Sequence, residues 1–309
     1  MCCTLHVHNC QQTVEAHGDR NSFIIAMLPP ELMRGIIFFA VGDPDEHHAI
    51  LQLSQVSRSL RQTVLNMSWL FTEANWDCWP TPLLDLWCQR AGAQLLTVSL
   101  SPWTICRLAD GEAPELQALL ESYSRRWGTL MFETTSDEGC IHFLERLLQC
   151  ACPLLHTIRG LGDIGYRKTL HLHPDCVPSL QALSLSRIWL AFSTPSTSVT
   201  ELTCTCTHPT DWSPFLDAVK GCHLIRRLTI KSPGYYEDDP IAFPAATGKA
   251  VLLSLTDLEI EELGVCLAPA LSRFLGHCDI PKLESLCIRD RLSAPTKGFE
   301  SLCQNVARR

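Results

Sequence analysis

Four stretches of the chain carry residue types able to do chemistry. Gly160 to Gly165 reads GLGDIG and matches Gly-x-Gly-x-x-Gly, the spacing that lets a backbone approach a pyrophosphate where a strand gives way to a helix. That chemistry needs a helix after the motif and an acidic residue about 20 positions on. Here YRKTLHLHPD follows, strand-like and then broken by Pro174, so the segment reads as a glycine turn and not a nucleotide site. Near the amino terminus Cys2, Cys3, His6, His8, Cys10 and His17 are all metal-capable. Structural zinc needs pairs at set spacing, such as Cys-x2-Cys with a second pair beyond, and these residues fit no such template. The CTCTH run puts Cys204 and Cys206 on one face of a strand, again without a second ligand pair, and Cys204 reads as a small buried hydrophobe. The loop DPDEHH, Asp43 to His48, lacks the glycine and distal glutamate of a calcium loop and reads as a solvated turn. No Gly-x-Ser-x-Gly, His-Glu-x-x-His or Walker pattern occurs. The residues therefore imply no catalytic centre, no cofactor and no metal, and the expected role is binding.

The composition sets what kind of binding. The chain has 309 residues, 46% of them hydrophobic and 19% charged, so most of it should bury a core. A net charge of −8 and a pI near 5.8 argue against nucleic acid, because phosphate binding needs a basic stripe. No block of five like charges offers a membrane anchor either. The apolar run Phe23 to Leu28 is cut short by Pro29 and Pro30, too short for a signal peptide or a membrane span. The cysteines number 17, an odd count with irregular spacing and no signal peptide ahead of them. Reduced thiols in the cytoplasm or nucleus are expected.

The elements that must position a binding surface come next. Residues 1–22 are polar and aperiodic and read as a disordered tail. LPPELMRGIIFFAV then opens with prolines suited to a first helical turn and with Glu31 where a helix dipole favours negative charge. Its apolar face holds Leu32, Ile36 and Phe39, and Gly42-Asp43-Pro44 ends it. A second amphipathic stretch places Leu53, Val56, Leu60 and Val64 on one face, and Ser68 caps a third turn carrying Trp69, Leu70 and Phe71. Three short helices in so little chain cannot bury all these faces among themselves, which implies a partner.

Leu28-Pro29-Pro30-Glu31-Leu32, the Ile36-Ile37 pair, Asp43-Pro44, Leu53-Ser54-x-Val56-Ser57-Arg58 and Ser68-Trp69-Leu70 resemble, in order and spacing, the F-box. Leu60 stands where the family often has Trp, and the loop around Glu46 to Ile50 is longer than the family's by a residue or two. The resemblance implies an F-box over residues 23–76, a trihelical module that docks the Skp adaptor of a cullin-RING ubiquitin ligase. Its docking surface or direct support would then comprise Leu28, Pro29, Pro30, Leu32, Ile36, Ile37, Leu53, Val56, Ser57, Leu60, Trp69 and Leu70.

A tryptophan-rich helical link, residues 77–93, leads into a repeated pattern over residues 94–309. The pattern is apolar, two variable, apolar, one variable, apolar. It recurs from Leu95, Trp127, Leu155, Leu180, Val199, Ile225, Leu255 and Leu283, with starts between 19 residues (Leu180 to Val199) and 32 residues (Leu95 to Trp127) apart. That spacing is close to leucine-rich repeats of about 20–29 residues. The last two apolar slots lie two apart and face one side of a short strand, so the expected fold is α/β: a helical F-box, then a curved leucine-rich-repeat solenoid with a parallel sheet on its concave face. Helical returns are expected at Pro114 to Tyr123, Glu138 to Cys150, Asp211 to Lys220 and Val265 to Gly276, and an extended or single-turn return before Val199. F-box, tryptophan-rich link and irregular repeats in this order also resemble the F-box proteins of mushroom-forming fungi.

Between the apolar slots the variable residues face outward. Glu201, Arg227, Lys231, Asp257, Glu259, Glu261 and Arg289 form a ladder of alternating sign there. Two readings stand: lateral pairs that stabilise the sheet, or a recognition strip for a target protein. The expected function is a substrate-recruiting, non-catalytic adaptor of a ubiquitin ligase. The alternative is a leucine-rich scaffold with no ligase role.

Overall fold

A computed structural model describes residues 29, 32, 35–37, 47–74, 76–77, 79–135, 137–162, 168–205, 212–231, 250–261 and 278–289. Leu28, Pro30, the amino-terminal cysteines and histidines, and the segment Val265 to Gly276 lie outside the described residues. The chain divides into two compact units, Met1–Phe71 and Thr72–Arg309.

The first unit is helical. Leu32 and residues 35–37 are helical, followed by α1 (His47–Val56), α2 (Arg58–Leu65) and a 3-10 turn, Ser68–Phe71. Ser57 separates the two helices with an extended backbone, and its hydroxyl accepts from Leu60 N–H at 3.1 Å, capping α2. Leu60, Val64 and Met67 recur at helical spacing and are buried, together with Ile37, Ile50, Leu70 and Phe71.

The second unit holds a parallel sheet of eight strands: β1 (Leu96–Leu100), β2 (Trp127–Thr134), β3 (Thr157–Gly162), β5 (Ala182–Ser186), β7 (Glu201–Thr205), β8 (Arg227–Lys231), β10 (Asp257–Glu261) and β12 (Ser285–Arg289). They neighbour one another in chain order and every pairing is parallel. The register runs unbroken through Thr97, Thr129, Thr157, Ala182, Glu201, Arg227, Asp257 and Ser285. These are the first outward slots of the eight repeats, so each repeat supplies one strand in the expected frame. The inward slots are buried from Val98 and Leu100 through Leu258 and Ile260. At β12 they are only half-buried: Leu286 and Ile288 belong to the last strand of the order, which takes sheet packing from β10 alone among the described residues.

The returning layer holds helices close to those expected at Pro114 to Tyr123, Glu138 to Cys150 and Asp211 to Lys220, and the return before Val199 is extended, as expected. Helices α4 (Pro102–Ala109) and α5 (Pro114–Tyr123) join β1 to β2, α6 (Glu138–Gln149) joins β2 to β3, and α7 (Trp212–Lys220) joins β7 to β8, while α3 (Thr81–Arg90) precedes β1. In the other repeats the described part of the return includes a strand. β4 (Lys168–Leu172) and β6 (Ile188–Phe192) pair in parallel, Leu170 opposite Leu190, and β9 (Ala250–Val251) pairs with β11 (Cys278–Asp279). Chain length explains the choice before Val199. A strand advances about 3.3 Å per residue against 1.5 Å for a helix, so a short connection spans the layer only when extended. The β-branched and aromatic run Ile188-Trp189-Leu190 suits that conformation. The turn into β6 is a single residue, Arg187, held at φ 61° in the left-handed region.

In GLGDIG, read from the sequence as a glycine turn, the first three residues are strand, and residues 163–165 lie outside the described residues. Gly160 and Gly162 lie on strand β3 and not in a turn. A Cβ at Gly160 would stand 2.6 Å from Phe132 Cζ and 3.0 Å from Leu185 Cδ2, so the Phe132 ring occupies the space that a side chain would take. At Gly162 the close neighbour is the Arg187 carbonyl, 2.8 Å from where a Cβ would stand.

Every described cysteine is a free thiol. Burial pushes Cys88 and Cys140 up to about 11 and Cys152 and Cys204 to about 12, and raises Cys222 as well. The thiolate is the nucleophile, so these sites are protected twice, by access and by protonation. Brief treatment of the native protein with iodoacetamide at pH 7.5 should label exposed Cys287 and leave those five unmodified by peptide mass spectrometry. Labelling of Cys204 or Cys222 ahead of Cys287 would contradict the packing.

Candidate protein-recognition surfaces

The first surface belongs to the helical unit. Of the residues expected to dock a partner, Ile37, Leu60 and Leu70 are buried and serve as support. Leu32, Ile36, Val56 and Trp69 are exposed by 57, 50, 57 and 41%, and Pro29 is exposed. Leu32 and Ile36 stand four residues apart, one helical turn, and so share a face. Ser57 is half-buried at the start of α2, where its hydroxyl is committed to the cap, and Leu53 lies within α1. Four large apolar side chains are thus exposed on the helical unit.

The second surface is the outward side of the eight-stranded sheet. Its late half carries the charged ladder, and the structure brings those residues together. Arg227 pairs with Glu201 at 3.6 Å, Lys231 with Glu261 at 2.7 Å, and Arg289 with both Glu259 at 2.9 Å and Glu261 at 3.8 Å. Asp257 lies between Arg227 and Ser285 in the register and accepts from the Thr256 hydroxyl at 2.7 Å. Parallel strands in register place the same slot of each repeat side by side, about 4.8 Å apart, which suits lateral pairing. Glu261 is the node of the network. Replacing it with glutamine should cost roughly 1 kcal/mol or less, a fall of about 2–4 °C in Tm that shrinks in 1 M salt. A fall that is unchanged by salt would mean that Glu261 acts through packing and not charge.

The early half of the same side holds a feature absent from the sequence reading. A cavity of about 490 Å³ is lined by Ser99, Met131, Glu133, Arg159, Leu161, Ser184 and Ser186 among others. Its rim is fixed by Asp77, whose Oδ1 accepts from Ser101 N–H at 3.1 Å and from the Thr104 hydroxyl at 2.5 Å. Several of its outward residues are small, Ser99, Ser184 and Ser186 among them, as the early half of this face is in the sequence.

No protein-family model matches the chain, and no curated protein matches it. Among the described residues, no helix is long and apolar enough to cross a membrane.

Proposed function

We propose that the chain is a substrate-recruiting adaptor of a Skp/cullin/F-box ubiquitin ligase. The first unit acts as an F-box that docks the Skp-type adaptor. The second is a curved leucine-rich-repeat solenoid whose outward sheet side holds an unidentified target protein while other subunits transfer ubiquitin. The reading needs no catalysis by this chain, and it assigns the protein to the cytoplasm or nucleus, where such ligases work.

The observation that carries it is the exposure of Leu32, Ile36, Val56 and Trp69, four of the residues that the F-box resemblance assigns to docking. The eight in-register strands support the second half of the reading, because each repeat adds one strand and three outward positions to a continuous surface. A pull-down of a Skp-type adaptor by the full chain tests the proposal directly. Co-purification at micromolar concentration supports it. Failure to bind favours a leucine-rich scaffold with no ligase role.

A further inference from the structure

Charge on the sheet side is divided unevenly between its two halves. Four cations occupy described outward slots of the eight strands: Arg159, Arg227, Lys231 and Arg289. Three of them pair with carboxylates on the neighbouring strand. Arg159 makes no such pair among the described residues, and its lateral neighbours are Met131 on β2 and Ser184 on β5. Glu133 likewise makes no ion pair among the described residues, and its lateral neighbour is Leu161. Both are exposed, and both line the 490 Å³ cavity.

Glu133 and Arg159 lie on adjacent strands and two positions out of step, since Glu133 pairs with Leu161 and Arg159 with Met131. Strand spacing and rise put their Cα atoms about 8 Å apart on the diagonal. An extended peptide presents side chains of residues i and i+2 on one face at about 6.6–7 Å, close to that separation.

We propose that this cavity docks an extended segment of the target protein that carries one acidic and one basic residue two positions apart. The acidic residue pairs with Arg159 and the basic one with Glu133. Met131 and Leu161 receive the apolar residue between or beside them, and the hydroxyls of Ser99, Ser184 and Ser186 bond the segment's backbone. Trp103, 66% exposed and two residues from Ser101 on the rim, adds the kind of aromatic anchor that dominates binding at interfaces. The late half is a poorer docking point, because a target's charge there must displace a partner already in place and leave its former mate uncompensated. This inference rests on the target-binding role of the second unit and gives that role a substrate class.

The test uses the immobilised full chain and a pool of capped peptides of the form Gly-Ser-X-Leu-Z-Ser-Gly, with X and Z drawn from Glu, Lys and Gln, the retained fraction being read by mass spectrometry. Opposite-sign peptides should be retained at least tenfold over the Gln/Gln peptide, with one order of signs preferred. The swapped variant Glu133→Arg, Arg159→Glu should invert that order, whereas Arg227→Ala should leave retention within twofold. Both swapped positions are exposed, and an unchanged thermal transition verifies the fold. Equal retention of opposite-sign and Gln/Gln peptides, or an order that survives the swap, overturns the proposal. Adaptor pull-down in the same preparation keeps the two readings apart: intact adaptor binding with no peptide selection sinks only this inference.

Discussion

The double variant Leu32→Ala, Val56→Ala should lose measurable binding to a Skp-type adaptor while the sheet unit unfolds at an unchanged temperature. Each truncation of an apolar anchor near the centre of an interface costs about 2 kcal/mol, so the pair should weaken binding on the order of a thousandfold. Both side chains are 57% exposed in the free chain, so trimming them leaves no cavity, and the variant should fold as the parent does. Leu60→Ala provides the contrast. Leu60 is buried on α2, and its truncation should destabilise the helical unit by roughly 2–5 kcal/mol, lowering adaptor binding only through lost structure. Calorimetric titration together with circular dichroism separates the two. An unchanged affinity in the Leu32, Val56 double variant would remove the F-box reading.

The second large effect is expected at Gly160→Val. The Phe132 ring lies where the new side chain must go, with its Cζ 2.6 Å from the position of a Cβ, and Phe132 itself is only 3% exposed. A buried ring between neighbouring strands has little freedom to yield, and overpacking of this kind typically costs about 1–3 kcal/mol. For a unit of this size that is a fall of several degrees in Tm, on the order of 2–4 °C per kcal/mol. Phe132→Leu alone should also destabilise, because it empties the space in front of Gly160. Combined with Gly160→Val it should recover part of the loss, giving a favourable coupling in a double-mutant cycle. Simple additivity would place the ring elsewhere. The same substitutions should alter peptide retention in the cavity, since Phe132 and Gly160 both line it.

The strand frame was legible in the sequence because its cause is local and periodic. Two apolar residues two apart, at recurring intervals, leave one register that buries both, and a slip of one residue would have sent Arg227 and Asp257 into the core. The return layer was legible in part: YRKTLHLHPD reads as strand-like and the return before Val199 as extended, but the pairing of Lys168–Leu172 with Ile188–Phe192 across different repeats has no local signal. Within the helical unit, sequence gives Ile36 and Ile37 the same apolar character, yet one is half in water and the other is fully buried. Only the packed arrangement separates anchor from support. The cavity was hidden for a different reason: it forms among small outward residues and two charges carried by different repeats, and neither is a motif.

The uninterrupted register from Thr97 to Ser285 bears on how such a surface can change over generations. Because inward and outward slots alternate without a slip, an exposed outward residue outside the ion-pair network is replaced without disturbing the buried layer beneath it, and surface substitutions of this kind usually alter stability by no more than about 0.5 kcal/mol. The sheet side behaves as a board on which squares are rewritten one at a time. A lineage carrying this architecture can rewrite that face through a series of viable single changes. Divergence of the face should outpace divergence of the apolar frame, and two descendants that share every inward residue need share few outward ones.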